Sequence, residues 1–167
     1  KQMHQWATDL FKVNRSITGE GVRETLSYFS DLIPELEIKS IPSGSKAFDW
    51  TIPDEWSIKE AYIEDELGNR IVDFSVNNLH IVGYSIAVNQ WMELDELQNF
   101  LYSLPDQPDA IPYITSYYSK SWGFCITDKQ RNALKSGLYR VYIDSDIFPG
   151  ELNYGELVIP GNTNEEV

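Results

Sequence analysis

Few side chains in this sequence could carry metal or covalent chemistry. There are two histidines, His4 and His80, and one cysteine, Cys125. Zinc sites need clustered His, Cys and carboxylate ligands, and the spacings that cluster them (CxxC, HxxxH, HExxH) are absent. No metal residue and no cofactor is assigned within these residues. His80, in NNLHIVGYS, reads as a core or edge histidine bonded to backbone. Cys125 lies in WGFCIT, an apolar run where a thiol behaves as a small buried hydrophobe. There is no GxSxG elbow for a serine nucleophile. The many Asp and Glu residues single out no catalytic pair.

Two stretches offer binding chemistry instead. The glycines of TGEG, Gly19 and Gly21, precede a helix whose N-terminus could hold an anion, or they simply allow a tight entry turn. The run PDAIPYITSYYSKSWGFCIT, residues 108–127, crowds two prolines, three tyrosines, a tryptophan and a phenylalanine together. Part of that load must be core. Tyr117, Tyr118 and Trp122 flank a polar turn at Ser119–Ser121 and could form an aromatic platform for sugar or peptide.

The elements that must position these residues follow from periodicity. MHQWATDLFKV and GVRETLSYFSDLI carry apolar residues at helical spacing, and Pro34 ends the second helix. LEIKSIP reads as a short strand. From there the period changes to two. AFDWTI and IKEAYIED read as strands; ELGN is a turn and RIVDFS the hairpin partner. NNLHIVGYSIAV reads as a strand with a bulge at its glycine, and MELDELQNFLYSLP as a short helix stopped by Pro105. PYITSYY and WGFCIT read as paired strands. TDKQRNAL carries a capping box, Thr127 with Gln130, and Gly137 suits the helix C-terminal cap. GLYRVYIDSDI and ELNYGELVIPG are two more strands around a Pro-Gly turn.

The formal net charge is −13 over 167 residues, so the basic footprint of a nucleic-acid or anionic-membrane binder is missing. No run approaches the ~20 apolar residues of a membrane span. The first residues, KQMHQWATDL, do not read as a secretory leader. The chain starts at Lys1 and reads as a segment of a longer protein. A lone cysteine makes no internal disulfide, and a cytoplasmic location is expected.

Five stretches in succession carry a family resemblance: NRSITGEGVRETL, IPSGSKAFDWTIPDEWSIKEAYI, NNLHIVGYS, LPDQPDAIPYITSYYSKSWGFCIT and GELNYGELVIPG. Together they resemble bacterial aminopeptidase-like proteins, often associated with polysaccharide biosynthesis, that hold a domain of unknown function within a zinc-peptidase-like fold. The resemblance spans nearly the whole chain. It implies a parent fold similar to zinc aminopeptidases of the glutaminyl-cyclase and transferrin-receptor type, in which Arg15, Gly19 and Gly21 loosely match the entry to the second helix. It also implies that the family's His and Asp ligands come after the next core strand, beyond NTNEEV, so zinc belongs to the parent.

The expected fold is α+β: two N-terminal helices, then a mostly antiparallel β-rich domain with one or two short helices. Residues 1–42 are expected to open a peptidase-like core, 43–160 to form an inserted β-domain, and 161–167 to begin the return. The expected function is the N-terminal and inserted portion of a zinc-dependent aminopeptidase-like hydrolase, shaping substrate access without hydrolysing anything by itself. The alternative is a non-catalytic β-module that binds glycan or protein or drives self-association. Expected partners are the rest of the peptidase-like core, a peptide or glycan, and a second copy, with neither nucleic acid nor membrane.

Overall fold

The computed structural model describes residues 1–161. The chain opens with two helices, α1 (Gln2–Leu10) and α2 (Glu20–Leu32). Their apolar stripes meet through Trp6 and Phe29, edge to face at 6.2 Å, while the Tyr28 hydroxyl donates to Asp9 at 2.7 Å. Strand β1 (Glu37–Pro42) follows, then a tight hairpin of β2 (Lys46–Ala47) and β3 (Trp50–Thr51). Next come β4 (Glu55–Asp65), β5 (Arg70–Asp73), β6 (Val88–Glu93), α3 (Leu94–Leu97), β7 (Leu101–Tyr102), β8 (Phe124–Cys125), α4 (Asp128–Ala133), β9 (Leu138–Phe148) and β10 (Glu151–Glu156). The fold is α+β and mostly antiparallel, as the sequence patterning requires.

The central sheet has the order β5-β4-β9-β6, all antiparallel. One face is the core. Ala61 and Ile63 from β4, Tyr139, Val141 and Ile143 from β9, and Met92 from β6 are buried against Ile81, Leu97, Leu101, Phe124 and Ile126. The apolar positions of β4 change parity along the strand: Trp56 and Ile58 are even, Ala61 and Ile63 odd. A bulge reconciles them. Ile58 faces Ser145 and Glu60 faces Asp144, leaving Lys59 unpaired. A one-residue slip turns a strand over, so this extra residue keeps both halves of β4 on the core. The opposite face stacks Tyr62 on Tyr142 at 5.0 Å, with the Arg70 guanidinium 3.8 Å from the Tyr62 ring centre.

Several sequence expectations are corrected. NNLHIVGYSIAV is not a strand: Asn78–His80 is a 3₁₀ turn, and Ile81 and Gly83 make only isolated bridges, to Phe124 and Thr115. PYITSYY and WGFCIT do not pair with each other; β8 instead lies parallel to β7. The helix expected over MELDELQNFLYSLP shrinks to Leu94–Leu97 plus a 3₁₀ turn, because its first residues are claimed by β6 and its last by β7. AFDWTI is two two-residue strands turning at Phe48, which takes a positive φ of 57°. Gly137 lies beyond the α4 cap at Leu134. The tail NTNEEV lies outside the described residues. The ELGN turn and the Thr127–Gln130 capping box form as read, with Asp65 accepting from the Leu67 and Asn69 amides.

Strand β10 leaves β9 after Pro149–Gly150 and pairs with β1, from Pro42 opposite Glu151 to Glu37 opposite Glu156. This ribbon carries α2. One ion pair locks the junction. Arg23 on α2 reaches Glu55 at the start of β4 with two hydrogen bonds, 2.9 and 3.1 Å, and also donates to Asn153 on β10 at 3.3 Å. The Glu55 side chain is 6% exposed and accepts the Glu151 amide at 3.0 Å. A Cβ at Gly150 would sit 2.6 Å from its carboxyl group, so only glycine fits there.

Arg23 holds the Glu55 carboxyl below the ordinary carboxylate range, against the opposing effect of burial. A carboxyl depressed by folding contributes stability above its unfolded pKa, about 4.3 for Glu, and loses it as pH falls through the lower folded value. Glu55→Gln should cost about 2–4 kcal/mol, because it leaves Arg23 facing a neutral group in a half-buried site. Glu20→Gln, removing an exposed partner of the same arginine, should cost under about 1 kcal/mol. Urea titrations at pH 7 test both. Repeating them between pH 5 and 3 should show stability falling with acid in the parent chain and a flatter profile in Glu55→Gln.

Candidate functional site

Two glycines seat the loop between the helices, Val13–Gly19: Gly19 against the β-domain, and Gly21 of α2 against the loop itself. Gly19 has φ of +96°, and a Cβ there would lie 2.9 Å from the Trp56 carbonyl oxygen. A Cβ on Gly21 would lie 1.9 Å from the Asn14 carbonyl oxygen. Such an approach is open only to glycine. Of the two readings of TGEG, the structure therefore supplies direct evidence for close packing at the helix entry.

Under this loop a buried network fixes the floor. Tyr84, another non-glycine residue at positive φ (66°), stacks on Trp56 at 5.9 Å. Its hydroxyl donates to the Asp54 carbonyl at 2.9 Å. The Thr18 hydroxyl, 2.6 Å away, must therefore donate to the Tyr84 oxygen. The Trp56 indole N–H and the Ser145 hydroxyl both donate to the Ser85 carbonyl, at 2.9 and 2.7 Å. The strained backbone at Tyr84 is over-determined by these contacts, the pattern expected where a fold holds a shape for use.

A cleft of about 340 Å³ opens beside this floor. Phe11, Val13, Trp56, Leu79 and Ile81 give it apolar walls. Asn14, Arg15, Ser16, Asn78 and Tyr113 supply its polar groups. Arg15 is tethered by one N–H to the Leu10 carbonyl at 2.8 Å and makes no ion pair among the described residues. The Ser16 hydroxyl is buried beside the Tyr84 hydroxyl. Tyr113 is exposed at the rim, and desolvation, with Tyr117 beside it, pushes its phenol up to about 12, so it is a neutral donor at physiological pH.

The aromatic residues singled out in the sequence are only partly brought together. Tyr117 sits edge-on between Tyr84 at 5.0 Å and Tyr118 at 6.1 Å. Tyr118 is 79% exposed. Trp122 instead lies flat on Phe100 at 3.9 Å and packs against the core. The stretch as a whole runs beside residues 82–86, with Gly83 N–H donating to Ile114 and Ser116 N–H donating to Gly83.

Among the described residues the ligand chemistry does not fit zinc. His80 is buried, with Nδ1 donating to the Cys125 carbonyl at 2.8 Å, as its backbone-bonded reading expects. Burial pushes the Cys125 thiol up to about 11 and keeps it protonated. Among the described residues no three His, Cys, Asp or Glu side chains cluster. No helix among them is long and apolar enough to cross a membrane.

Asn14, Ser16, Asn78 and Tyr113 were not legible as site residues, since they come together only in the tertiary fold. The one available signal was Arg15 immediately ahead of the two close-packing glycines.

An acidic α+β domain with a helical pair clamped to one end, and an apolar cleft at that junction holding one arginine, defines the class. The chain belongs to the family described as a domain of unknown function (DUF2172), which matches residues 55–146, from β4 through most of β9. It is 45% identical, over 166 residues and 99% of its length, to a protein of Clostridium acetobutylicum. That protein is provisionally named for polysaccharide biosynthesis with an aminopeptidase-like domain. The chain spans 38% of that relative's length. A crystal structure from the same organism, provisionally named a peptidase, superposes with a TM-score of 0.88 at 45% identity, covering 92% of this chain and 36% of that one.

The glycine contacts make a sharp test of the site's framework. Gly21→Ala should destabilise by about 2–3 kcal/mol, since backbone must move. Gly44→Ala, at φ +82° but in open space, should cost only the strain, about 1 kcal/mol. Urea unfolding midpoints of the two variants decide this.

Proposed function

We propose that this chain is the portion of a zinc-dependent aminopeptidase-like hydrolase that frames substrate access, the metal ligands lying outside these residues. The observation that carries the reading is the alignment of 99% of the chain with part of a longer relative whose name includes an aminopeptidase-like domain. The β1–β10 ribbon supports it. Entry and exit strands that pair side by side, Pro42 opposite Glu151, are what a β-domain inserted into another fold requires. On this reading the helices and the ribbon belong with the peptidase-like core, and the four-stranded sheet stands out from it. The cleft at the junction is where such an insert would meet substrate.

On this reading the described residues bind and orient, and the metal ligands and the attacking water belong to the rest of the hydrolase. In the hydrolase a bound zinc would activate water for attack on an amide. The test uses protein of the relative's full length that contains these residues. Stoichiometric zinc and chelator-sensitive release of N-terminal residues from peptides are expected. Arg15→Gln should raise KM with zinc content unchanged. Peptide hydrolysis with no zinc bound, or bound zinc with no hydrolysis across a peptide panel, would remove the reading.

A further inference from the structure

We propose that the junction cleft is a carboxylate-recognition site that takes the C-terminal carboxylate of a short apolar peptide, with Arg15 as the charged anchor. The proposal deepens the hydrolase reading and rests on it for the choice of peptide as ligand.

The cleft is built for one negative charge on an apolar body. Among the described residues Arg15 is the only charged side chain in its lining. One guanidinium N–H is spent on the Leu10 carbonyl, which fixes the group in place. The remaining donors have no carboxylate partner among the described residues, in a chain where acids outnumber Lys and Arg by 26 to 13. A planar guanidinium held this way presents the fork that matches a carboxylate. The other polar groups of the lining, Asn14, Ser16, Asn78 and Tyr113, are neutral at physiological pH and can each donate a hydrogen bond.

The surroundings set the polarity. An adjoining hollow of about 270 Å³ shares Phe11 and Asn78 with the cleft and adds Lys12. The carboxylates Glu20 and Glu24 line a third hollow, which shares Val13, Asn14, Ser16 and Trp56 with the cleft but does not include Arg15. Anions are therefore favoured on the Arg15 side and disfavoured in that third hollow. A single tethered cation, exposed at the cleft of a strongly acidic molecule, suits a monoanion better than a phosphate dianion. A volume of about 340 Å³ lies near the lower end of the ~300–1,000 Å³ typical of small-ligand sites, the size of one or two residues. Trp56 and Phe11 offer flat and apolar contact for the terminal side chain.

The experiment measures binding of N-acetylglycyl-phenylalanine and of its amide to the full-length protein by calorimetry. The blocked N-terminus prevents removal of the first residue, so binding is read whether or not the protein hydrolyses peptides. The acid should bind at least roughly tenfold more tightly than the amide, the worth of one charge-assisted contact. Arg15→Gln should reduce that ratio to about twofold or less, while Arg15→Lys retains part of it. Tyr113→Phe, which leaves the Leu10 tether intact, should weaken the acid by a few-fold; thermal melting checks that each variant is folded. Equal binding of acid and amide, or a preference that survives Arg15→Gln, overturns the site. Displacement of the acid by an equal concentration of inorganic phosphate also overturns it, in favour of simple anion capture. Zinc-dependent hydrolysis without acid preference sinks this site and spares the hydrolase reading; acid preference without hydrolysis does the reverse.

Discussion

The Arg23–Glu55 pair is the constraint on which the arrangement of this molecule turns. It joins three elements distant in sequence: α2, the first residue of β4, and β10 through Asn153 and the Glu151 amide. A carboxylate as enclosed as Glu55 would be costly alone, and it is tolerated because Arg23 donates to both its oxygens and the Glu151 amide to one of them. Gly150 is bound to the same requirement, since any side chain there would occupy the carboxylate's space. The pair adds little net stability over an apolar contact. What it does is set register: it fixes where the helices sit relative to the start of β4, and so where the Val13–Gly19 loop falls.

That placement decides the cleft. Once α2 is pinned, the loop must cross Trp56; Gly19 lets it do so at backbone contact, and Gly21 lets it fold back on α2 at Asn14. Trp56 is presented by the part of β4 ahead of the Lys59 bulge, whereas Ala61 and Ile63 beyond it anchor the main core. The bulge therefore has two effects. It keeps β4 amphipathic over eleven residues, and it brings Trp56 to the same side as the core, where Tyr84 stacks on it. A regular strand would turn Trp56 outward and remove the floor of the site.

The sequence was informative where local chemistry decides the outcome. The two amphipathic helices, the ELGN turn and the Thr127–Gln130 capping box depend on residues within one or two turns of each other, and they form as read. Between Asn77 and Cys125 a short helix at Leu94–Leu97, a strand at Phe124–Cys125 and the backbone-bonded His80 agree with the reading, but the expected strand over NNLHIVGYSIAV and the pairing of PYITSYY with WGFCIT do not. There apolar and aromatic residues recur at near-alternating spacing, the mark of a strand, yet the backbone donors are taken singly by neighbouring loops: Val82 by Gly123, Gly83 by Ile114, Ile86 by Ser121. Long-range closure of this kind leaves no period to read. The Arg23–Glu55 pair was invisible for the same reason, its members lying 32 positions apart in the chain.

The aromatic run 108–127 shows why richness in Tyr and Trp is a poor guide to a binding surface. Trp122 is consumed by Phe100, and Tyr117 by Tyr84. Gly123 allows this: a Cβ there would lie 2.7 Å from the Tyr102 ring and 3.0 Å from the Phe100 carbonyl oxygen. The run is drawn inward at Gly123 and again at Phe124, buried on the core. Its exposed residues are Pro108, Asp109, Tyr113 and the turn Tyr118–Lys120, and of these Tyr113 lines the cleft with Arg15. The chemically useful residue of the stretch is thus set by where the chain is forced out of the core. That position is fixed by the tight contacts at Gly83 and Gly123 on either side, and ultimately by the same close packing that seats the Arg15 loop.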